Sequence, residues 1–200
     1  MSETYTQEKP ENAAELEKQG VQGLITALTD STDPRVRQYA AYLLGQARNP
    51  RAIQPLVEAM ADFDKSVREQ ATLALSNIGK AAIGQLSDAM KEPKWETRYR
   101  AAEALGRIAD EKAVQPLIRG LKDNRDHVRY MAAKGLRDLG DSDAVEPLII
   151  LLKDENIYVR TMAVRALGTI GGTKPIEALT ALLERETEEK VREAIRDYIK

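Results

Sequence analysis

A ten-residue pattern recurs six times along this chain at nearly constant intervals. Each copy begins with a Val-Arg or Thr-Arg pair followed by regularly spaced apolar residues, and successive copies start 30 to 32 residues apart. A fixed period in this range is typical of stacked supersecondary units, each of which buries its apolar face against its neighbours. The chain is therefore predicted to form a helical repeat array. The copies read VRQYAAYLLG from Val36, VREQATLALS from Val67, TRYRAAEALG from Thr97, VRYMAAKGLR from Val128, VRTMAVRALG from Val159 and VREAIRDYIK from Val191.

Each copy has the apolar spacing of one amphipathic α-helix, which forms the second helix of a repeat. With the first residue of the pair as position 0, apolar residues occupy positions 0, 4, 7, 8 and 11, and these positions form one stripe on a helix. Positions 4 and 5 are small, as in Ala40 with Ala41 and Ala132 with Ala133. Because small side chains let helices approach closely, the second helices are predicted to stack tightly.

A different pattern upstream of these helices predicts the first helix of each repeat, so that each repeat is a helical hairpin. A proline recurs near its start, where the missing N–H removes a donor that has no intrahelical partner. Asp110 and Asp141 are predicted N-caps of first helices, and Asp33 is the predicted N-cap of the first of the second helices. The pattern reads AIQPLVEAMAD from Ala52, AVQPLIRGLKD from Ala113 and AVEPLIILLKD from Ala144.

The predicted fold is all-α: a right-handed α-solenoid, or α-α superhelix, of about six helical hairpins. A repeat array has no internal boundary, because every unit shares its core with the next. We therefore expect a single array over residues 13–200 after a disordered N-terminal tail over residues 1–12. The predicted repeats span about 13–48, 50–79, 81–109, 111–140, 142–171 and 173–200.

Composition restricts the kinds of partner that we expect. The chain has 13 basic and 14 acidic residues up to Arg100, and 17 basic and 18 acidic residues after it. Binding to nucleic acid through phosphates needs a basic excess, so no nucleic-acid partner is predicted. The absence of cysteine excludes disulfides and thiolate sites. No signal-peptide pattern and no stretch of about eighteen apolar residues occurs, so we expect a cytoplasmic protein without a membrane partner.

The paired patterns AVxPLIxxLKD and VRxxAAxALGxIGD resemble the short HEAT-like repeats of the phycobilisome-lyase type. The fourth and fifth repeats show them best, and the resemblance extends over residues 20–199. The resemblance implies an α-solenoid in which the second helices line the concave face. A period of roughly 31 residues is shorter than the 40 to 47 residues of longer HEAT and armadillo units, which favours the compact subtype.

The same family includes enzymes, but their functional residues do not carry over to this chain. Deoxyhypusine hydroxylase is an iron enzyme that relies on several His-Glu pairs, whereas this chain has one histidine, His127, interpreted as a surface residue. The related bilin lyases attach pigment to partner proteins, but no residue here matches a catalytic role. No nucleophile-histidine set, phosphate loop or zinc spacing occurs, so no catalytic residue, metal or cofactor is predicted.

In five repeats an acidic residue precedes the arginine of the pair by six positions. Because the combination recurs throughout the array, it is interpreted as framework rather than as an active site. We expect a ladder of partly buried, charge-assisted bonds that tie each interhelical turn to the following helix. The pairs are Asp62–Arg68, Glu92–Arg98, Asp123–Arg129, Asp154–Arg160 and Glu186–Arg192.

Positions 2, 6 and 9 of the second helices point away from the apolar stripe and form the candidate binding surface. The row changes from aromatic to basic along the chain, and tyrosine and arginine are favoured at binding hot spots. Met131, Met162 and Trp95 are expected at its edges. The row reads Gln38, Tyr42, Gly45; Glu69, Leu73, Ser76; Tyr99, Glu103, Gly106; Tyr130, Lys134, Arg137; Thr161, Arg165, Gly168. The predicted partner-binding residues are Tyr42, Tyr99, Tyr130, Lys134, Arg137 and Arg165.

The main functional prediction is a non-enzymatic scaffold that binds a protein or peptide of acidic and apolar character on the concave face. A second interpretation is a bilin-lyase-like enzyme or accessory that acts on a protein-attached cofactor. In a third, the array has no site: the tyrosines only cover neighbouring repeats, and the arginines form local ion pairs with Glu103 and Asp138. The sequence leaves these alternatives open.

Overall fold

The computed structural model describes residues 8–199, which fold into helices joined by short turns and contain no β-strand. The predicted all-α class is confirmed. Over this range a short initial helix, α1 (Ala13–Leu16), precedes six helical hairpins. The first and second helices of the hairpins are α2 (Val21–Asp30) and α3 (Pro34–Ala47), α4 (Ile53–Ala59) and α5 (Lys65–Ile78), α6 (Ile83–Ala89) and α7 (Trp95–Ile108), α8 (Val114–Gly120) and α9 (Asp126–Leu139), α10 (Val145–Leu151) and α11 (Ile157–Ile170), and α12 (Thr173–Leu183) and α13 (Glu189–Arg196).

The predicted helix caps are present, two of them on a tighter turn than expected. Asp33 caps α3, its carboxylate accepting the main-chain N–H two residues on at 2.8 Å. Asp110 and Asp141 accept equivalent N–H groups at 3.0 and 2.8 Å, but each begins a 3-10 turn that leads into α8 or α10. Local polar chemistry therefore sets where these helices start.

The chain divides into two compact units, one up to Ala104 and the other from Leu105 onward, and the division falls inside α7. The single array over residues 13–200 stays a prediction. Within each unit, leucines from first and second helices are almost completely removed from solvent, which supplies an apolar core. They include Leu44, Leu56, Leu75 and Leu86 in the first unit, and Leu117, Leu136, Leu148 and Leu167 in the second.

The first described residues pack against the first unit. Pro10 is buried, and Lys9 Nζ lies 2.7 Å from Glu17 Oε1 and 5.4 Å from the centre of the Tyr39 ring. The hydroxyl of the buried Tyr39 donates a hydrogen bond to the same Glu17 carboxylate. The predicted tail over residues 1–12 is thus held in place at residues 9 and 10, and its residues 1–7 lie outside the described range.

Two pairs of successive second helices, α3 with α5 and α7 with α9, meet at glycines. A Cβ atom on Gly45 of α3 would lie 2.7 Å from the Ala74 Cα of α5, and one on Gly106 of α7 would lie 2.8 Å from the Gly135 Cα of α9. Both distances are below van der Waals contact, so any side chain would push the helices apart. The glycines stand at position 9 and their neighbours at position 7. Position 9 is therefore a packing position here, and its assignment to the outward row was wrong for Gly45 and Gly106.

The arginine of the Val-Arg pair joins two repeats. In the first, fourth and fifth repeats its guanidinium group makes two charge-assisted hydrogen bonds to a carboxylate of the next repeat, an arrangement called a fork here. The recorded forks are Arg37 to Asp62 at 2.8 and 2.8 Å, Arg129 to Asp154 at 2.6 and 2.9 Å, and Arg160 to Glu186 at 2.9 and 3.1 Å.

The acidic residue six positions before each arginine contributes its main-chain carbonyl rather than its carboxylate. This carbonyl accepts a guanidinium N–H at 2.7 to 2.9 Å from Arg68, Arg98, Arg129, Arg160 and Arg192. The expected ladder exists, but its six-residue carboxylate pairing was wrong. In Asp62, Asp154 and Glu186 the carboxylate turns back toward the preceding repeat and pairs with the arginine there.

The ladder shifts the pKa values of several of its members. Burial alone would raise the pKa of the Asp62 and Glu186 carboxyls, but the arginine forks and nearby main-chain N–H donors outweigh it and lower both pKa values. Hydrogen bonding to Asp62 raises the pKa of Arg37, and hydrogen bonding to Asp154 does the same for Arg129. The charged forms of these pairs are therefore favoured in the folded chain.

Adding one methyl group at the helix contact should destabilise the second unit. Gly106→Ala places a Cβ against the Gly135 backbone, and we expect the free energy of unfolding to fall by about 1 to 3 kcal/mol. Gly84→Ala is the matched control, because Gly84 lies in α6 with open space around it, and there alanine should stabilise by roughly 0.5 to 1 kcal/mol. Urea unfolding monitored by circular dichroism measures both values. Equal stability of G106A and the wild type would contradict the close contact.

Acidification should weaken the ladder. The carboxyl pKa values of Asp62 and Glu186 are lower in the folded than in the unfolded chain, so the unfolded chain takes up protons first as the pH falls. The stabilising contribution is complete above about pH 5 and is lost as the pH falls below about 4. Urea unfolding across this range should show the loss, and Asp62→Asn should make the curve shallower. The exposed Asp143→Asn is the control, and an unchanged pH dependence in D62N would argue against this account.

Candidate functional site

Two of the predicted binding residues, Tyr42 and Tyr99, lie on second helices of the first unit. Tyr42 on α3 is half-buried, and its ring stacks on that of the buried Tyr39, with centroids 5.8 Å apart and planes inclined by 16°. Tyr99 on α7 is half-buried, with the guanidinium carbon of Arg100 6.0 Å from its ring centre. Both rings therefore have one side against the protein and part of their surface open to solvent.

The charges on this part of the first unit compensate one another. Arg100, largely buried, has its guanidinium nitrogens 3.8 Å from Glu69 Oε1 and 3.4 Å from Glu103 Oε2. Leu73 lies on α5 at the register of Tyr42, and it is half-buried. The second helices of the first unit thus present aromatic and aliphatic side chains with paired charges between them.

The other four predicted residues lie on α9 and α11 of the second unit. Tyr130, Lys134 and Arg137 follow one another on α9 at intervals of four and three residues, which places them on one side of the helix. Arg165 on α11 is exposed and has the same repeat position as Lys134. We call positions 2, 6 and 9 of these two helices the α9–α11 face: Tyr130, Lys134, Arg137, Thr161, Arg165 and Gly168.

One of the three basic residues of the α9–α11 face has an ion-pair partner, and the other two differ from it. Arg137 is held by the neighbouring Asp138, with two hydrogen bonds of 2.9 and 2.6 Å, so one of the predicted local ion pairs is present. Lys134 and Arg165 have no hydrogen bond or ion pair from their side chains within residues 8–199. These two cations remain available to a ligand.

Several residues expected on or beside the outward row are buried. Met131 and Met162 are 6% and 3% exposed, so they belong to the core and form no adaptable edge. Gln38 and Thr161 at position 2 are also buried. A side chain on Gly168 would overlap the ring of Tyr198, so this position 9 is again a packing position. The position 6 side chains, in contrast, are all half-buried or exposed.

Exposed apolar side chains that the sequence interpretation missed lie outside the row. Phe63 is fully exposed in the turn between α4 and α5, and Ile150 is exposed on α10. Tyr158 at the start of α11 is exposed, with Lys190 Nζ 4.2 Å from its ring centre. Comparison of the repeats would have revealed Phe63, because the corresponding positions of the other repeats carry Thr, Pro, Asn or Glu.

The single histidine of the chain lies on the surface. His127 is exposed, as predicted, with its Nδ1 2.7 Å from Asp126 Oδ1. Within residues 8–199 no group of three or more His, Cys, Asp or Glu side chains is arranged to hold a metal ion. None of the helices in this range combines the length and the apolar character needed to cross a bilayer.

The sequence is similar to a family of repeats and to a subunit of a phycocyanobilin lyase. The chain matches the HEAT repeats family over residues 21–90, 80–133 and 116–200. It is 42% identical over 117 residues to phycocyanobilin lyase subunit alpha from Picosynechococcus sp.. That stretch covers 49% of this chain and 44% of the lyase subunit, so the match spans less than half the length of the relative.

Solved structures confirm the type of fold. The complex of CpcE and CpcF of phycocyanin lyase from Nostoc sp. is similar over 75% of this chain and 99% of the matched chain, with a TM-score of 0.69 and 24% identity. A designed armadillo repeat protein in complex with the peptide (KR)4 is similar over 91% and 100%, with a TM-score of 0.56 and 21% identity. Human deoxyhypusine hydroxylase is similar over 89% and 72%, with a TM-score of 0.53 and 26% identity. Together, the period, the hairpins and the family match show that the chain belongs to the HEAT repeat family.

Proposed function

We propose that this chain binds a partner protein or peptide through the outward faces of its second helices and has no catalytic role of its own. The observation that carries the proposal is the presence of half-buried tyrosines and unpaired cations on these faces. Tyr42, Tyr99 and Tyr130 each keep part of a ring open to solvent, although the leucine core is complete without them. Partly exposed aromatic rings on a rigid helix are suited to act as binding hot spots.

The packing of the helices supports a binding role for this side of each unit. In the first unit the contact between α3 and α5 is more extensive than that between α2 and α4. In the second unit the contact between α9 and α11 is likewise more extensive than that between α10 and α12, and in both units the second helices are the longer ones. We propose that this side lies on the inside of a curve, because the resemblance to HEAT-like repeats implies that the second helices line the concave face. Repeat proteins commonly use such concave surfaces for recognition.

Two of the similar structures are complexes with polypeptides. CpcE is bound to CpcF, and the designed armadillo repeat protein is bound to (KR)4. These associations belong to those proteins. They support the proposal because the same type of fold holds a protein in one case and a peptide in the other.

A second candidate is a bilin-lyase-type enzyme or accessory that acts on a protein-attached cofactor. The 42% identity to phycocyanobilin lyase subunit alpha favours it. Both candidates require contact with a protein, and they differ in whether the chain also binds pigment. Titration of the purified chain with phycocyanobilin separates them: a stoichiometric change in the visible spectrum of the pigment would support the lyase-type role, and an unchanged spectrum would argue against pigment binding.

Removal of single tyrosine rings should weaken capture of the partner without unfolding the chain. We expect Tyr99→Ala and Tyr130→Ala each to lower the affinity at least tenfold, corresponding to a loss of about 1.4 kcal/mol or more. Tyr158→Ala is the matched control, because Tyr158 is an exposed tyrosine outside these faces. Affinity capture with quantitative mass spectrometry identifies the partner, and titration of the purified partner gives the affinities.

The same variants test whether the tyrosine rings only shield the neighbouring repeats from solvent. Thermal unfolding of Y99A and Y130A should remain close to that of the wild type and of Y158A. Unchanged capture by Y99A and Y130A would rule out these faces as the binding surface. A large fall in melting temperature would assign the rings to the packing of the repeats.

A further inference from the structure

We infer that the α9–α11 face binds an acidic segment of a partner protein, with its carboxylates held by Lys134 and Arg165. The inference rests on the proposed function and adds the chemistry of the segment that the second unit recognises. Both cations stand at position 6, on helices that pack directly against each other.

The two cations differ from the arginines that serve the fold. Arg129 and Arg160 fork onto carboxylates of the following repeat, and Arg137 is held by Asp138. Lys134 and Arg165 have no such bond in the described part of the chain. Their charges are thus not used to stabilise the repeats, and a ligand can approach them without breaking an existing ion pair.

The positive charge on this face is local. The chain after Arg100 is nearly neutral, with 17 basic and 18 acidic residues, but positions 2, 6 and 9 of α9 and α11 contain three basic residues and no acidic one. Asp138 compensates only Arg137. Like charges on neighbouring helices repel each other, so their placement together favours a ligand of opposite charge.

The last second helix, α13, limits the size and kind of the ligand. Glu193 and Asp197 occupy positions 2 and 6 of the last repeat, and both are exposed. A nucleic-acid backbone carries evenly spaced phosphates and is best held by a continuous basic surface, which this change of sign interrupts. A peptide can place two or three carboxylates on α9 and α11 and a different residue type beyond them.

The chemistry of the individual side chains fits such a segment. The planar guanidinium group of Arg165 can hold a carboxylate through two parallel hydrogen bonds, whereas the Lys134 ammonium group acts as a point charge. The half-buried ring of Tyr130 stands one helical turn before Lys134 and offers an apolar contact beside the charges. The matching ligand is therefore a short segment in which acidic residues alternate with an apolar one.

Fluorescence anisotropy with defined peptides tests the inference on the full chain. The probe is a fluorescein-labelled peptide of sequence EDLEDLEDL, and its neutral counterpart is QNLQNLQNL. We expect the acidic peptide to bind at least about tenfold more tightly at low ionic strength, and the difference to shrink as salt screens the charges. Equal affinity for the two peptides would overturn the inference.

Charge-reversal variants locate the binding. We expect the double substitution K134E/R165E to weaken binding of EDLEDLEDL at least about tenfold. The matched control is K122E/K153E, because Lys122 and Lys153 are exposed lysines of the same two repeats in the turns after α8 and α10. The control changes the net charge by the same amount and should bind within about twofold of the wild type. Circular dichroism and thermal unfolding check whether both variants are folded.

Several results would overturn the inference. They are an equal loss in K122E/K153E, no loss in K134E/R165E, or tighter binding of an oligo-dT strand than of the acidic peptide. Failure of the inference is distinguishable from failure of the proposed function. If Y130A reduces partner capture but K134E/R165E does not, the binding surface stands and the acidic segment is wrong. If neither variant changes capture, the second unit does not bind through this face.

Discussion

The close contact between successive second helices is the constraint on which the other features of each unit depend. At Gly45 and at Gly106 there is no room for a side chain, so the helices approach each other closely at these points. Such close stacking buries both flanks of a second helix, as Ala104 and Gly106 show on opposite sides of α7. Only a narrow strip around position 6 stays open. The residues available for recognition are consequently few, about one or two in each repeat.

The arginine ladder complements this contact by fixing the offset between repeats. A fork such as that from Arg129 to Asp154 tolerates little sliding, because two hydrogen bonds must keep their directions together. Burying two charges is costly unless both are fully hydrogen-bonded. Asp154 meets this condition by also accepting the main-chain N–H of Asn156, while Arg129 also donates to the main-chain carbonyl of Asp123. The same few residues thus pair two repeats and hydrogen-bond the turn between the helices.

The sequence predicts the local part of this structure and misses the part that depends on the next repeat. Asp110 acts within a few residues, and so the pattern alone places it correctly. The apolar stripe describes how a helix packs on its own hairpin, but a stacked helix also has neighbours on both flanks, which is why Met131 and Gly106 were misplaced. A glycine inside a helix costs roughly 1 kcal/mol relative to alanine, and this cost was the available signal of a close backbone contact. Spacing along the chain likewise cannot tell whether the Asp154 carboxylate turns toward its own repeat or the preceding one.

Position 6 carries information about function because packing demands so little of it. In the first unit it holds Tyr42, Leu73 and Glu103, and in the second it holds Lys134 and Arg165 before the acidic Asp197. These residues share one position in the repeat but differ in size and in the sign of their charge. The residues that pack the repeats are nearly constant, so packing does not explain these differences. Successive second helices lie side by side within each unit. The position 6 residues of one unit therefore follow one another in space in the same order as in the sequence. We propose that a partner segment is recognised by that order, one or two side chains at a time.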